Sequence, residues 1–350
     1  MLGLPFAAEK SVEGAPAVIF LGVESDMSMA HINGSVTLKV RQDRIAKLTS
    51  CIHEILLQDC FPAGQAAHIA GKLNFVTSWS FAKFGRAAMQ PIHAQASSCA
   101  PYSKSLTPGA RASLMFFANL LPEIPPCSIQ LSQPYRRPII VFTDGRYERA
   151  LDAPAGVGFV IATPLAEFET TPLPSRDSKE WSQSLAIEYS FYHGSSDVPA
   201  EMMDSLCQRS QQIGQVELLG ALTPYLSAPE LFAHRDVLHF IDNTSAQTAL
   251  MKGYSGVPDS ARLVHLFHAW NLGAQCRVWF EYVPSKANVS DAPSRIDMAR
   301  RVYRISDDIK SSPVFCRLPP LARWSDPAGW AREAAQHCSD VPHAPHFQFN

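Results

Sequence analysis

Apolar residues first run together over 17–23 (AVIFLGV) and then alternate at Val36, Leu38 and Val40, with the turn-forming pair Asn33-Gly34 between. Two short strands joined through Asn-Gly predict a hairpin over the first 40 residues. From residue 41 the period lengthens: Ile45, Leu48, Ile52, Ile55 and Leu56 recur at steps of three and four, which predicts a helix. Pro62 and Gly64 interrupt it, and a second helical stretch runs from about 65 to 95. Prolines at 101, 108, 122, 125, 126 and 134 surround one apolar helix (ARASLMFFANLL). That density marks a connecting segment, with a boundary near 134.

After 137 the texture becomes α/β. PIIVFTD reads as a buried strand ending in a carboxylate, and AGVGFVIATP as its hairpin partner. A polar insert (165–184) carrying Pro and Ser precedes a third strand at LAIEYSFY, and helical spacing covers about 200–226. VLHFIDN is another strand ending in Asp. The helices SAQTALMKG and DSARLVHLFHAWNLGA follow, then the strand CRVWFEYVP and the polar loop SKANVSDAPSR. Strands that first run together and then alternate with helices predict a mixed five-stranded sheet with flanking helices, antiparallel at its start and parallel at its finish. The segment 298–350 is rich in Pro, His and Asp, with Trp324 and Trp330 as its large anchors. It is expected to pack loosely.

Composition narrows the function classes. Lys and Arg total 30 against 32 Asp and Glu, a net charge of -2. A protein that coats nucleic acid by bulk charge is thereby excluded, while a local basic path is not. The eight cysteines include no C-x-x-C pair, so neither a zinc ribbon nor a thioredoxin-like site is indicated. No stretch reaches the roughly 18 apolar residues that a membrane helix needs. The N-terminus has no basic region preceding an apolar one. An intracellular protein, cytoplasmic or nuclear and not secreted, with reduced thiols and no membrane partner, is expected.

The chemistry-bearing residues are acidic. Asp144 and Asp242 each end a buried strand, Glu217 sits among apolar positions in QIGQVELLGALTPYL, and Asp291 lies where the last loop meets a helix start. Carboxylates at equivalent ends of neighbouring parallel strands come close together, which is unfavourable without a cation. Hard oxygen donors suit Mg²⁺ or Mn²⁺. Each residue alone has a plain structural reading as turn former, solvated helix residue or cap. The order strand, helix, strand, final helix across all four is what points to a metal site.

These segments resemble the RNase H-like domain of reverse transcriptases of LTR and DIRS-type retroelements. The resemblance is carried by VFTDGRYE (141–148), GVGFVIATP (156–164), IGQVELLGAL (213–222), FIDNTSAQTALMKGYSG (240–256) and VWFEYVPSKANVSDAPSR (278–295). Upstream, VIFLGV (18–23) is similar to the strand after the polymerase active site, and residues 69–92 to the thumb and connection region. The resemblance implies a palm-hairpin remnant over 1–40, a smaller, mainly helical thumb and connection region over 41–134, an RNase H-like domain over 135–297 and a tail over 298–350. It further implies that Asp144, Glu217, Asp242 and Asp291 hold two Mg²⁺ (or Mn²⁺) ions that cut the RNA strand of an RNA–DNA hybrid.

The chain departs from the family pattern in three ways. The polymerase motif Tyr-x-Asp-Asp, expected before residue 17, is absent, so polymerase activity is not expected from this chain alone, and a palm and fingers portion would be supplied elsewhere. The spacing from Asp144 to Glu217 is long; the insert is expected to loop out, with Glu188 and Glu201 as alternatives for the second carboxylate. The loop before Asp291 carries Lys286 in place of the His of cellular enzymes. Lys72, Arg86, Asn243, Lys286 and Asn288 are candidate nucleic-acid contacts, and Lys83, Arg136 and Arg137 could extend a phosphate path. The competing reading is a catalytically decayed retroelement remnant that binds nucleic acid without cutting it.

Overall fold

The computed structural model describes residues 14–80, 83–98, 104–123, 126–131, 135–148, 154–175, 178–295, 303–306 and 309–339. The chain divides into two units. One comprises residues 1–82 and 91–134, the other 83–90 and 135–349.

The first unit contains β1 (Ala17–Phe20), β2 (Val23–Asp26), α1 (Ala30–Asn33), β3 (Ser35–Val40), α2 (Gln42–Gln58), α3 (Ala63–Ser80), α4 (Arg86–Ala96), α5 (Pro108–Leu120) and β4 (Cys127–Gln130). The first residues of α4 cluster with the second unit. The strands form an antiparallel sheet in the order β1-β2-β3-β4. The expected two-stranded hairpin is revised here. Leu21 and Gly22 both take positive φ and fold the apolar run 17–23 back on itself as β1 and β2. Asn33 instead ends the short helix α1, with Gly34 at φ 69 closing it. Ile45, Leu48, Ile52 and Ile55 are buried along one face of α2, and α5 begins at Thr107, whose hydroxyl accepts from Ala110 N at 3.3 Å.

The second unit contains β5 (Ile139–Tyr147), β6 (Ala155–Pro164), α6 (Lys179–Glu188), β7 (Tyr189–Asp197), α7 (Ala200–Asp204), α8 (Ile213–Ser227), α9 (Pro229–Phe232), β8 (Asp236–Ile241), α10 (Thr244–Lys252), α11 (Pro258–Ala274), β9 (Arg277–Tyr282), α12 (Asp291–Arg295), β10 (Tyr303–Arg304), β11 (Lys310–Pro313) and α13 (Pro327–Ser339). Its sheet runs β10-β11-β7-β6-β5-β8-β9. Neighbours β5/β6 and β6/β7 are antiparallel, and β5/β8 and β8/β9 parallel. The unit is therefore a mixed α/β layer structure with flanking helices. No helix among the described residues is long and apolar enough to cross a membrane.

Four expectations change. The sheet has seven strands, because β11 pairs parallel to β7 and β10 pairs with β11. The tail is packed rather than loose over 309–339: Trp324, Trp330 and Cys338 are buried, and α13 lies so close to α11 that a Cβ on Gly273 would meet Ala334 Cβ at 2.8 Å. The insert does not loop out. Leu173, Trp181 and Leu185 pack on a core of Ile140, Ala162, Tyr189, Phe240 and Val283, and Arg137, almost fully buried, binds Glu188, Ser184 and the carbonyl of Thr171. Because Trp181 and Leu185 bury at helical spacing, LAIE ends α6, and strand β7 starts only at Tyr189.

Side chains alternate across a strand, and β5 is sorted accordingly. Thr143 and Gly145 face α8, while Asp144 and Arg146 face α12. Glycines let both helices come onto the sheet. A Cβ on Gly145 would meet Glu217 N at 2.8 Å, one on Gly220 would meet Asp144 O at 3.1 Å, and one on Gly158 would lie 2.6 Å from Ser294 Cα. Backbone atoms cannot swing aside as a flexible side chain can. Gly158→Ala is therefore expected to destabilise the protein by roughly 1–3 kcal/mol through overpacking, whereas Gly256→Ala, with nothing within 4 Å, should be close to neutral. Urea unfolding of the two variants checks this.

Candidate metal centre

Parallel pairing of β5 with β8 ends at Thr143↔Ile241, so Asp144 and Asp242 follow directly where the ladder stops. Glu217 comes from the second turn of α8, a helix buried on nearly every side. Oxygens of Asp144, Glu217 and Asp242 all lie within 4.8 Å of one another. Asp144 and Glu217 are 5% and 4% exposed, so two of these three acids have little water to stabilise their charge.

Their electrostatics follow from that placement. Burial pushes the Asp144 carboxyl up to about 6; the Ser294 hydroxyl draws it down, while Asp242 and Asp291 push it further up. Burial also holds Glu217 well above the usual carboxylate range, with Asp144 and Asp242 adding to the rise. Glu217 Oε2 is buried and meets no hydrogen-bond donor. A buried carboxylate oxygen without a donor is costly. Three carboxylates converging around such an oxygen fit a hard divalent cation.

Asp291 opens α12 and is set apart from the group of three. Its carboxylate pairs with Arg295 at 3.0 Å, and Arg295 also reaches Glu148 at 3.3 Å. It still adds to the negative field at Asp144. The link between them is Ser294, which donates its hydroxyl to Asp144 Oδ2 and also lies 2.9 Å from the Asp291 carbonyl. From its place beside Asp291 in the sequence, Ser294 is a candidate to hydrogen-bond a carboxylate of the site or the substrate backbone, and the structure shows the bond to a carboxylate.

Asn288 is corrected as a nucleic-acid contact. It is buried, donates to Thr143 O at 3.0 Å, and accepts from Ser290. Its role is to anchor the last loop beside β5. Asn243 caps α10, accepting from Ser245 N and Ala246 N at 3.1 Å. Lys286 stands exposed on the turn Ser285–Ala287. Arg86 is exposed and donates to Lys252 O at 3.2 Å, at the C-terminal end of α10. Lys72, in the first unit, lines a hollow with Arg44, Lys47, His68 and Phe75.

Arg136 is exposed and paired with Glu169, and Arg137 does not extend a phosphate path because it is buried and bound to Glu188. The same pair removes Glu188 as an alternative to Glu217, and Glu201 is exposed on α7. Sequence reasoning missed Arg146. It is buried, pairs with Asp197 at 2.6 Å and donates to Ser294 O at 3.2 Å, fastening α12 across β6 at Gly156. An arginine on an otherwise buried strand was the available signal. No family model matches the chain, and no curated protein matches it.

The raised carboxyl of Asp144 sets a sign for stability against pH. The folded state holds a proton there that the unfolded state has lost above about 4. The associated stability is complete below that value and is lost as pH rises through about 6. Without metal, the melting temperature should therefore fall between pH 4 and neutrality. At neutral pH, Mn²⁺ at a hundredfold excess over its Kd should restore about 2.7 kcal/mol. Asp144→Asn should melt higher than wild type without metal at neutral pH and respond less to Mn²⁺. Calorimetric melts with chelator and with Mn²⁺ measure both.

Proposed function

We propose that this chain carries an RNase H-like nuclease domain of a retroelement reverse transcriptase, which hydrolyses the RNA strand of RNA–DNA hybrids with two Mg²⁺ or Mn²⁺ ions. The observation that carries the reading is the convergence of Asp144 on β5, Glu217 on α8 and Asp242 just after β8, with the backbone carbonyl of Asp291 joined to Asp144 through Ser294. Support also comes from the antiparallel start and parallel finish of the sheet.

Bound divalent ions would activate water and neutralise charge developing on the leaving oxygen of a phosphodiester. The chain's own residues supply the rest. Asp144 on β5 and Glu217 on α8 give oxygen donors from the sheet and its covering helix, and Asp242 gives one from the bend directly after β8. Ser294 fixes the rotamer of Asp144, Asn288 ties the last loop to Thr143, and Arg146 holds α12 at its carbonyl. Asp291 would join the ligand set for a second ion by leaving Arg295, at small cost because that pair is exposed. Lys286 and Arg86 are the exposed cations of this unit assigned to the hybrid backbone, and Lys72 is assigned the same role in the first unit. Contacts of this kind position the duplex without reading bases. RNA would be told from DNA by its 2′-hydroxyl.

The test is cleavage of an end-labelled RNA–DNA hybrid with Mg²⁺ or Mn²⁺, comparing wild type with Asp242→Asn. Cutting confined to the RNA strand, lost in the variant, is the expected result. A folded wild-type protein that binds the hybrid and leaves the RNA intact would contradict the nuclease reading and favour a decayed, binding-only copy.

A further inference from the structure

A polar chain joins α8 to the sheet. His239 is fully buried; its Nε2 lies 2.9 Å from Thr143 Oγ1 and its Nδ1 3.0 Å from Tyr225 Oη. Each member stands on a different element, and each of those elements carries or directly precedes one carboxylate of the site. Thr143 directly precedes Asp144 on β5. Tyr225 is two turns beyond Glu217 on α8. His239 lies on β8, three residues before Asp242. We propose that Thr143, His239 and Tyr225 are positioning residues that tie β5, β8 and α8 together and so fix the spacing of the three carboxylates; the inference rests on the metal-site reading above.

The surroundings make the tie demanding. Tyr225 packs against Phe232, Phe267 and Trp270, and His239 against Phe267 and Phe280. In such an apolar cage a polar atom that loses its partner is left without replacement. Both imidazole nitrogens are engaged, one as donor and one as acceptor in the neutral ring. Burial pushes His239 down to about 3, so the ring stays neutral and the tie is intact across the range in which the carboxylates bind metal. Close backbone approach at Gly145 and Gly220 sets the distance of α8 from the sheet, and the bond from Tyr225 to a ring that is also bonded to β5 adds a directional constraint on its register. Like charges brought within 4.8 Å repel, and their carriers must be held against that repulsion.

The experiment measures Mn²⁺ affinity by calorimetric titration, well below the melting temperature, for wild type, Tyr225→Phe, Thr143→Val, Thr143→Ser and Ser227→Ala. The first two variants remove one hydroxyl each with little change of shape, and Thr143→Ser keeps the hydroxyl. Ser227→Ala is the control. It removes a hydroxyl on the same helix whose bonds, to Thr223 O and from Arg317 N, lie outside the tie. Tyr225→Phe and Thr143→Val are expected to bind Mn²⁺ about three- to tenfold more weakly, with Thr143→Ser and Ser227→Ala close to wild type. Wild-type affinity in both folded hydroxyl-deletion variants would overturn the inference alone. An equal loss in Ser227→Ala would also overturn it, by tracing the effect to general loosening of α8. Absence of Mn²⁺ binding in the wild type would overturn the metal-site reading and this inference with it.

Discussion

Three carboxylates are held within 4.8 Å of one another, two of them buried, and the second unit is organised around that constraint. Mutual repulsion and lost hydration both oppose the arrangement. It persists because Asp144 and Glu217 sit within regular elements and Asp242 follows directly on the last paired residue of β8. They stand at the end of the β5/β8 ladder and on a helix whose backbone touches the sheet. Local instability at the carboxylates is thus held in place by packing elsewhere, and a cation is the simplest partner that would relieve it.

The packing that holds them is unusually close. Gly145 and Gly220 seat α8 against β5, and Gly156 with Gly158 seats α12 against β6. Side chains then fasten what the glycines allow: Arg146 at the carbonyl of Ser294, Ser294 at Asp144, Asn288 at Thr143. The glycine pair on β6 therefore has a structural purpose, which is to admit the helix that carries Asp291.

Much of this was legible in the sequence, and what was not has identifiable causes. Asp144 and Asp242 stood out because each ends an apolar run of strand length. Glu217 stood out because an acid among Val216, Leu218 and Leu219 is expensive without a reason. The bonds that align these residues could not be read. Asn288 finds Thr143 and Ser294 finds Asp144 across 145 and 150 residues of chain, and sequence pattern does not say which distant partner such a residue meets. Strand β11 was missed because KSSP shows no apolar alternation; it is recruited by the free edge of β7. The insert seemed a polar excursion until Leu173, Trp181 and Leu185 met the sheet. Asn33-Gly34 looked like a hairpin turn, yet Leu21-Gly22 adopted the positive φ values that reverse the chain.

The measurement that bears most directly on the account is anomalous diffraction from crystals soaked in Mn²⁺. A bound ion should appear as an anomalous peak between the carboxylates of Asp144, Glu217 and Asp242, at about the 2.0–2.2 Å expected of small divalent ions and oxygen ligands. No peak among these residues at saturating Mn²⁺, with the carboxylates still converging and protonated, would contradict the account. The cluster would then be a neutral hydrogen-bonded core feature rather than a metal centre.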